Sequence, residues 1–174
     1  MNRWLMVGVG ALLVAGCASG RGAAPAVPAG AAGAGAAVLT ATRFVDVAAS
    51  AALYAIEAGR LAQARSRDPE VRALAALQVA NGEGIGGQLS YAGRRVNALP
   101  DNEMTAQHRA LLAALKSARD FDAAYLEQQQ QMVPLMRRFH EDYAVRGGSA
   151  TLRPVARFSA EKLAEQEALL ERID

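Results

Sequence analysis

The spacing of apolar residues predicts helices along most of the chain beyond residue 40. From Thr40 to Ser66, apolar residues recur at steps of three and four, which is the spacing of one face of a helix. The stripe consists of Phe44, Val47 or Ala48, Ala51, Ala55, Ala58 and Leu61 or Ala62. No stretch of the chain alternates as a half-buried strand would. The pattern therefore predicts an all-α fold.

A second helix follows a clear start signal. Asp68 is suited to the N-cap, Pro69 to the first helical position, and Glu70 to the positive end of the helix. The apolar stripe that follows is Val71, Leu74, Leu77 or Gln78, Ile85 and Leu89. The stripe passes through a glycine-rich stretch, so the second helix is expected to extend into it.

Three more helices are predicted after the loop ALPDNEMT. A short one runs from about Thr105 to Lys116, a long one starts near Asp120, and the last runs from about Thr151 to Glu171 after the break RGGS. The inward positions on the last two are Phe121, Tyr125, Gln129, Met132, Met136, Phe139, Tyr143, Val155, Leu163 and Leu170. The expected architecture is an up-down four-helix bundle with a short extra helix.

The stretch VANGEGIGGQLS places Gly82, Gly84 and Gly87 in the spacing GxGxxG. In a dinucleotide-binding loop, these glycines follow a strand and open a helix whose amino terminus meets the pyrophosphate. Here they follow VRALAALQVAN, a helical run, and no parallel strands are predicted. We therefore expect no nucleotide binding. The glycines should lie inside the second helix or at a break in it, where each costs about 1 kcal/mol relative to alanine.

Composition and charge favour closely packed helices and argue against a nucleic-acid partner. The 174 residues allow one domain with appendages. Alanine supplies much of the 52% apolar content and aromatic residues only 5%, which suits closely packed helices. A formal charge of +2 is too small to indicate a nucleic-acid partner.

The amino terminus, MNRWLMVGVGALLVAGC, has the organisation of an export signal. Arg3 provides the positive start, and Leu5 to Ala15 form an apolar segment of eleven residues. That segment is too short to cross a bilayer, which takes roughly 20 helical residues. The ending Val14-Ala15-Gly16-Cys17 resembles the bacterial lipobox, and Cys17 is the only cysteine of the chain. The alternative is a plain secretory signal with an incidental cysteine.

The lipobox resemblance implies cleavage between Gly16 and Cys17 and lipid attachment at Cys17, which would anchor the protein in a membrane. Several acyl chains give durable attachment, whereas one is marginal. By similarity to Gram-negative lipoproteins, Ala18 and Ser19 carry no aspartate retention signal, which implies the outer membrane and a domain facing the periplasm. We expect a signal peptide over 1–16, an Ala/Gly/Pro-rich tether over 17–39 and a folded domain over 40–174.

Two stretches resemble a known family. RFVDVAASAALYAIEAGRLAQARSRDPEVRALAALQV and the later FDAAYLEQQ are similar to a set of bacterial envelope proteins known as domain of unknown function four-one-four-two. The resemblance covers roughly Thr40 to Leu170 and is most specific over Ile56 to Ala62. It implies a ferritin-like helical bundle.

The family resemblance also implies a group of metal ligands that this chain lacks. Members carry Asp-Asp-His on the second helix and further histidines on the last two long helices, as bundle metal sites require. Ala80, Asn81 and Gly82 stand at the first group. Val133 and Gln166 stand at the other two histidines, and of the first-helix pattern only Glu57 is kept. We therefore expect a degenerate site, with no metal and no cofactor bound there, and Glu57 as a half-buried carboxylate bonded to a polar neighbour.

A few other residues could carry chemistry. His108 opens the short helix and is expected to face solvent. His140 precedes Glu141 and Asp142, but adjacent helical residues point about 100° apart, so the three cannot share one ion. His140 is therefore expected to be a surface histidine among charges. Gln128 to Gln131 cover every face of a helix, so at least one should point inward and need a hydrogen-bonding partner. The arginines near RGGS could touch anionic headgroups or polysaccharide, but ordinary surface charge is the favoured interpretation: Arg137, Arg138, Arg146, Arg153 and Arg157.

No catalytic constellation is recognisable in the sequence. The favoured function is therefore a non-enzymatic one, in which an outer-membrane lipoprotein presents the bundle for envelope binding or a structural role, with an unknown protein or envelope partner. The alternative, drawn from the family resemblance, is a metal-binding or redox and stress-related ferritin-like protein. The metal content of the purified domain would discriminate between the two.

Overall fold

A computed structural model of the protein describes residues 38–173. These residues form five α-helices: α1 (Ala41–Arg65), α2 (Pro69–Gly93), α3 (Ala106–Ser117), α4 (Phe121–Arg146) and α5 (Arg153–Leu170). A short 3₁₀ helix, Arg94–Val96, follows α2, and residues 38–173 contain no strand. The predicted all-α bundle is confirmed. The predicted signal peptide, Gly16, Cys17 and nearly all of the predicted tether lie outside the described residues.

The helix starts follow the capping residues. The Asp68 side chain accepts hydrogen bonds from the backbone N–H groups of Glu70 and Val71, at 2.7 and 3.3 Å. Thr105 caps α3 and Asp120 caps α4 in the same way, at the two helix starts that the sequence predicted. The last helix begins at Arg153, two residues later than expected, with Pro154 in its first turn.

The helices pack as two hairpins, α1–α2 and α4–α5, with the shorter helix α3 beside them. The hairpin α1–α2 turns through the three residues after Arg65, and α4 packs along α5. Contacts of α1 with α4 and of α2 with α5 close the bundle, and α3 lies against α1 and α4. Of the predicted stripe, α1 buries Phe44, Ala48, Ala58 and Ala62, whereas Ala51 and Ala55 are only partly buried. Because three helices surround α1, it also buries Val45, Ser50 and Tyr54. Among the described residues, no helix is both long enough and apolar enough to cross a membrane.

The glycine-rich stretch is continuous helix, since α2 runs unbroken from Pro69 to Gly93. A Cβ atom at Gly82 would lie 2.8 Å from Ile56 Cγ1 and 3.1 Å from the Ala52 carbonyl oxygen on α1. Gly59 on α1 has the reciprocal role, because its Cβ would lie 2.8 Å from the Ala75 carbonyl oxygen. These two glycines therefore allow α1 and α2 to approach closely. Gly86 and Gly87, by contrast, would have nothing within 4 Å of an added Cβ.

Candidate binding cavity

A small cavity of about 40 Å³ lies among α1, α2, α4 and α5. Alanines of α1 and Ile85 and Leu163 supply much of its apolar wall. Its polar lining consists of Tyr54, Gln78, Gln129, His140 and Gln166, and two methionines of α4 complete it. None of the side chains that line the cavity is an acid, a lysine, an arginine or a cysteine.

Three positions that the family resemblance matched to histidines meet at this cavity. Gly82, Val133 and Gln166 come from α2, α4 and α5, and all three line it. Val133 is buried, as predicted, and so is Gln166. The family resemblance therefore matched three positions that meet at one point in the bundle, although the residues themselves are poor metal ligands.

Other positions of the family pattern lie elsewhere. Asn81 is buried next to the cavity, where its amide nitrogen donates to the Lys162 carbonyl oxygen at 3.0 Å and ties α2 to α5. Glu57 has 47% of its side chain exposed, which agrees with the expected half-buried carboxylate. Its carboxylate pairs with Arg60 at 3.2 Å, and Arg60 also pairs with Glu83 of α2 at 3.1 Å. Glu57 thus belongs to a surface ion-pair network.

His140 is buried, and the expectation that it lies at the surface is wrong. It is four residues beyond Met136 on α4 and shares its inward face, while Glu141 and Asp142 point to solvent. Its ring packs edge-on against Phe44 and Phe139, with centroid separations of 5.4 and 5.6 Å. Burial lowers the pKa of His140 to about 4, so the imidazole is neutral at pH 7. Its Nδ1 atom is buried without a hydrogen-bonding partner.

His108 is also buried, which corrects the second surface expectation. The reason is the packing of α3 on α1, which brings His108 Nδ1 to 2.6 Å from Ser50 Oγ and stacks its ring on Tyr54. The backbone N–H of Thr105 donates to Ser50 Oγ at 2.7 Å, so the Ser50 hydroxyl is free to donate to Nδ1. Burial lowers the pKa of His108 below its ordinary value, in agreement with an accepting, neutral Nδ1.

A continuous chain of hydrogen bonds joins α1, α2 and α4 beside the cavity. The Tyr125 hydroxyl donates to Gln78 Oε1, and Gln78 Nε2 donates to Gln129 Oε1 at 2.6 Å. Gln129 Nε2 then donates to the Tyr54 hydroxyl at 3.2 Å, and that hydroxyl donates to Gln128 Oε1 at 2.6 Å. The prediction that the glutamine run sends a bonded side chain inward is confirmed by Gln129. The two following glutamines are exposed.

The tyrosines in this chain of hydrogen bonds remain protonated. Burial raises the pKa of Tyr54 to about 12, an effect that its hydrogen bond from Gln129 only partly offsets. Burial also raises the pKa of Tyr125, with a further contribution from Tyr54. At neutral pH the buried polar groups around the cavity are therefore hydroxyls, amides and a neutral imidazole.

Of the five arginines near the RGGS break, Arg137, Arg146 and Arg153 have local partners. Arg137 pairs with Glu141 on α4 and Glu167 on α5, each at 2.5 Å, and these carboxylates raise its pKa. Arg146 pairs with Asp142, and Arg153 Nε donates to the Gly147 carbonyl oxygen at 3.0 Å. These contacts agree with the favoured interpretation of ordinary surface charge.

Within residues 38–173, no three side chains of His, Cys, Asp or Glu come together as a metal site would require.

Comparison with known proteins places the chain in a family. A family model described as a domain of unknown function, DUF4142, matches residues 25–173. The chain belongs to the DUF4142 family. No curated protein and no solved structure matches it. The DUF4142 match includes all five helices and the whole cavity lining.

Proposed function

We propose that this DUF4142 chain is an outer-membrane lipoprotein that presents a non-catalytic helical bundle to the periplasm, where it has an envelope binding or structural role. The sequence ending in Gly16-Cys17 supports the anchor, because the only cysteine stands where a lipobox requires it. The apolar segment before it is too short for a membrane span and suits a cleaved signal.

The observation that supports a non-catalytic role is the chemistry of the cavity lining. Its polar side chains are glutamine amides, the protonated Tyr54 and the neutral His140. Amides do not transfer protons at neutral pH, and catalytic acids and bases work best with a pKa near the operating pH. The pKa values of Tyr54 and His140 are displaced in opposite directions, away from neutrality. These groups suit the recognition of a ligand better than proton transfer.

The size of the cavity supports a small ligand. A bound water needs about 10–15 Å³ of such volume, so 40 Å³ holds the equivalent of about three waters. Pockets for drug-sized ligands are typically about 300–1,000 Å³. The proposed binding role therefore concerns a small species inside the bundle or a partner at its surface.

The anchor is tested by expressing the full chain in a Gram-negative host and separating its membranes. Cys17→Ser should abolish incorporation of labelled palmitate and leave the protein unprocessed or released from the outer membrane. A matched control is Ala18→Asp, which keeps Cys17. By analogy with the retention signal, this variant should remain acylated but move to the inner membrane. A Cys17→Ser protein that matures normally and stays tightly bound to the outer membrane would contradict the proposal.

A further inference from the structure

Large apolar side chains that are exposed to solvent lie mostly at one end of the bundle. Within residues 38–173, the side chains of this kind are Val38, Tyr91, Leu99, Leu135 and Val145. Leu135 lies midway along α4, whereas the other four lie near helix ends, with exposed fractions from 57% to 76%. Single exposed apolar residues are ordinary, but several in one region indicate an interaction surface.

The directions of the helices bring these four residues to the same end. Because α1 and α2 form a hairpin, the start of α1 lies beside the end of α2. Phe44, in the first turn of α1, stacks on Tyr143 near the end of α4, with ring centroids 3.7 Å apart. We call this end of the bundle, formed by residues 38–44, 91–99 and 143–153, the entry end.

The turn after α2 holds a tyrosine and a leucine at the entry end. The backbone N–H of Ala98 donates to the Gly93 carbonyl oxygen at 3.0 Å, which folds the chain back over the end of the helix. A Cβ atom at Gly93 would collide with the Ala98 carbonyl oxygen, so the turn requires glycine there. Arg95 lies over the Tyr91 ring, 4.8 Å from its centroid, and donates to the Tyr91 hydroxyl at 2.9 Å. Leu99 follows directly after this turn, so a closed loop fixes its backbone near Tyr91.

The charge of the same turn suits an anionic surface. Arg94 and Arg95 are exposed, and neither belongs to an ion pair within residues 38–173. In this they differ from Arg137 and Arg146, which pair with carboxylates. Arginine and tyrosine both combine an apolar body with a polar tip, which suits the boundary between lipid and water. Arginines are also attracted to anionic phospholipids.

The chain that leads to the proposed lipid anchor reaches the bundle at the entry end. The described residues begin at Val38, and the chain from Cys17 to that point is about 20 residues long, so it spans no more than about 70 Å when fully extended. An anchor at Cys17 therefore keeps the domain close to the membrane. A surface held so close docks through weak contacts, because the linkage raises its effective concentration.

We propose that the entry end docks onto the phospholipid headgroups of the leaflet that holds the anchor. Tyr91, Leu99 and Val145 enter the boundary between lipid and water, while Arg94 and Arg95 contact phosphate groups. The inference rests on the Cys17 anchor proposed above and adds an orientation to it. The opposite end of the bundle, where α3 is followed by α4, faces away from the membrane.

The orientation is measured with single fluorescent labels on the full lipoprotein, reconstituted into vesicles of phosphatidylethanolamine and phosphatidylglycerol. Acylation converts the only natural thiol, Cys17, to a thioether, so one introduced cysteine is the only labelling site. Leu99→Cys and Val145→Cys place an environment-sensitive dye at the entry end. Ser117→Cys is the matched control, since Ser117 is exposed at the end of α3, where Arg65 at the end of α1 bonds to neighbouring carbonyl groups. We expect spin-labelled lipids to quench the first two dyes but not the third.

Substitutions in the turn after α2 test the chemistry, with the dye kept at Val145→Cys. Arg94→Gln/Arg95→Gln should lower the ratio of docked to undocked domain by more than about tenfold, because each arginine near an anionic surface strengthens binding about fivefold. Vesicles of phosphatidylcholine, which carry no net charge, should have a similar effect on the parent. Tyr91→Ser should also reduce quenching. Leu135→Ser removes an exposed apolar side chain outside the entry end and should leave quenching unchanged.

The proposal is wrong if the dyes at Leu99→Cys and Val145→Cys are quenched no more than the dye at Ser117→Cys. A shifted emission that spin-labelled lipids do not quench would also overturn it, because a second copy of the chain would then cover the entry end. Palmitate incorporation tests the anchor separately. If Cys17 carries no lipid, the same three labels in the Cys17→Ser chain, mixed with excess vesicles, decide whether the entry end docks. The two proposals therefore fail separately.

Discussion

Gln78 on α2 donates its amide hydrogen to Gln129 on α4 at 2.6 Å, in the interior of the bundle. Both side chains are fully buried, and each is also bonded to a tyrosine, Gln78 to Tyr125 and Gln129 to Tyr54. A half-satisfied buried network is less favourable than an apolar core, because each orphaned group keeps its desolvation cost. The glutamine pair therefore fixes how α2 lies against α4.

Replacing Gln78 with leucine should destabilise the fold strongly. The Gln78→Leu variant leaves the Tyr125 hydroxyl and Gln129 Oε1 without these partners, at about 1–3 kcal/mol for each buried group. We expect the free energy of unfolding to fall by about 2–4 kcal/mol in urea denaturation. Gln131→Leu is the control, since Gln131 is exposed on α4 and should change stability by no more than about 0.5 kcal/mol. Equal effects for the two variants would show that the network does not stabilise the bundle.

Alanine substitutions should separate the two kinds of glycine in α2. Gly82→Ala places a methyl group 2.8 Å from Ile56 Cγ1, so α1 and α2 must shift, at a cost of about 1–3 kcal/mol. Gly87→Ala meets nothing within 4 Å and should stabilise the helix by about 0.5–1 kcal/mol. Thermal unfolding of the two variants beside the natural protein measures both effects. A stabilising Gly82→Ala would mean that the helices do not approach as closely as described.

The helices were predictable because their signals are local. Apolar spacing and capping residues such as Asp68 and Asp120 act within a few positions, so they can be recognised before any tertiary contact is known. The sequence alone did not decide whether α2 continues through its glycines or breaks there. It depends on close packing against α1, which only the assembled bundle provides.

The positions of the two histidines could not be inferred from local signals in the same way. His108 is buried because α3 leans on α1 and brings it to Ser50, a contact between residues 58 positions apart. His140 lies among charged residues in the sequence, but the helical rotation of about 100° per residue turns Glu141 and Asp142 away from the core. Its spacing of four from Met136 was the available signal, and the adjacent charges concealed it.

Acid should destabilise the protein through His140. The pKa of this imidazole is about 4 in the folded protein and near 6.5 when unfolded, so the unfolded state binds more protons between these values. Stability is therefore complete above about pH 6.5 and falls as the pH drops toward 4, by about 3 kcal/mol in total. The lowered pKa of His108 acts in the same direction.

The contribution of His140 can be isolated by comparing pH dependences. We expect the free energy of unfolding of His140→Phe, measured in urea from pH 7 to 4, to fall less steeply than that of the natural protein. Every other ionisable group is the same in both proteins, so its contribution cancels in the difference. Parallel curves would mean that His140 is protonated as readily in the folded as in the unfolded state.

The degenerate-site hypothesis predicts that one restored histidine destabilises the fold without creating a metal site, whereas two restored histidines create a zinc site. Val133 is a buried side chain, worth about 1.5 kcal/mol or more by transfer, and Val133→His replaces it with a polar ring. One new imidazole cannot satisfy a divalent ion, so this variant should be less stable and still not bind Zn²⁺ tightly. Val133→His/Gln166→His adds a second ligand to the cavity that already contains His140. Gly82 is left unchanged because any side chain there meets Ile56.

The double variant should bind Zn²⁺ with an affinity that the natural protein lacks, because three neutral imidazoles are a recognised zinc ligand set. Isothermal titration and metal analysis after dialysis measure the gain. The same double variant carrying His140→Phe is the matched control, and it should lose that affinity with the third ligand. Binding that survives in the control would place the zinc elsewhere. The hypothesis rests on a cavity lining that offers no set of ligands to hold a divalent ion. Stoichiometric zinc, iron or manganese in the natural protein would therefore overturn it.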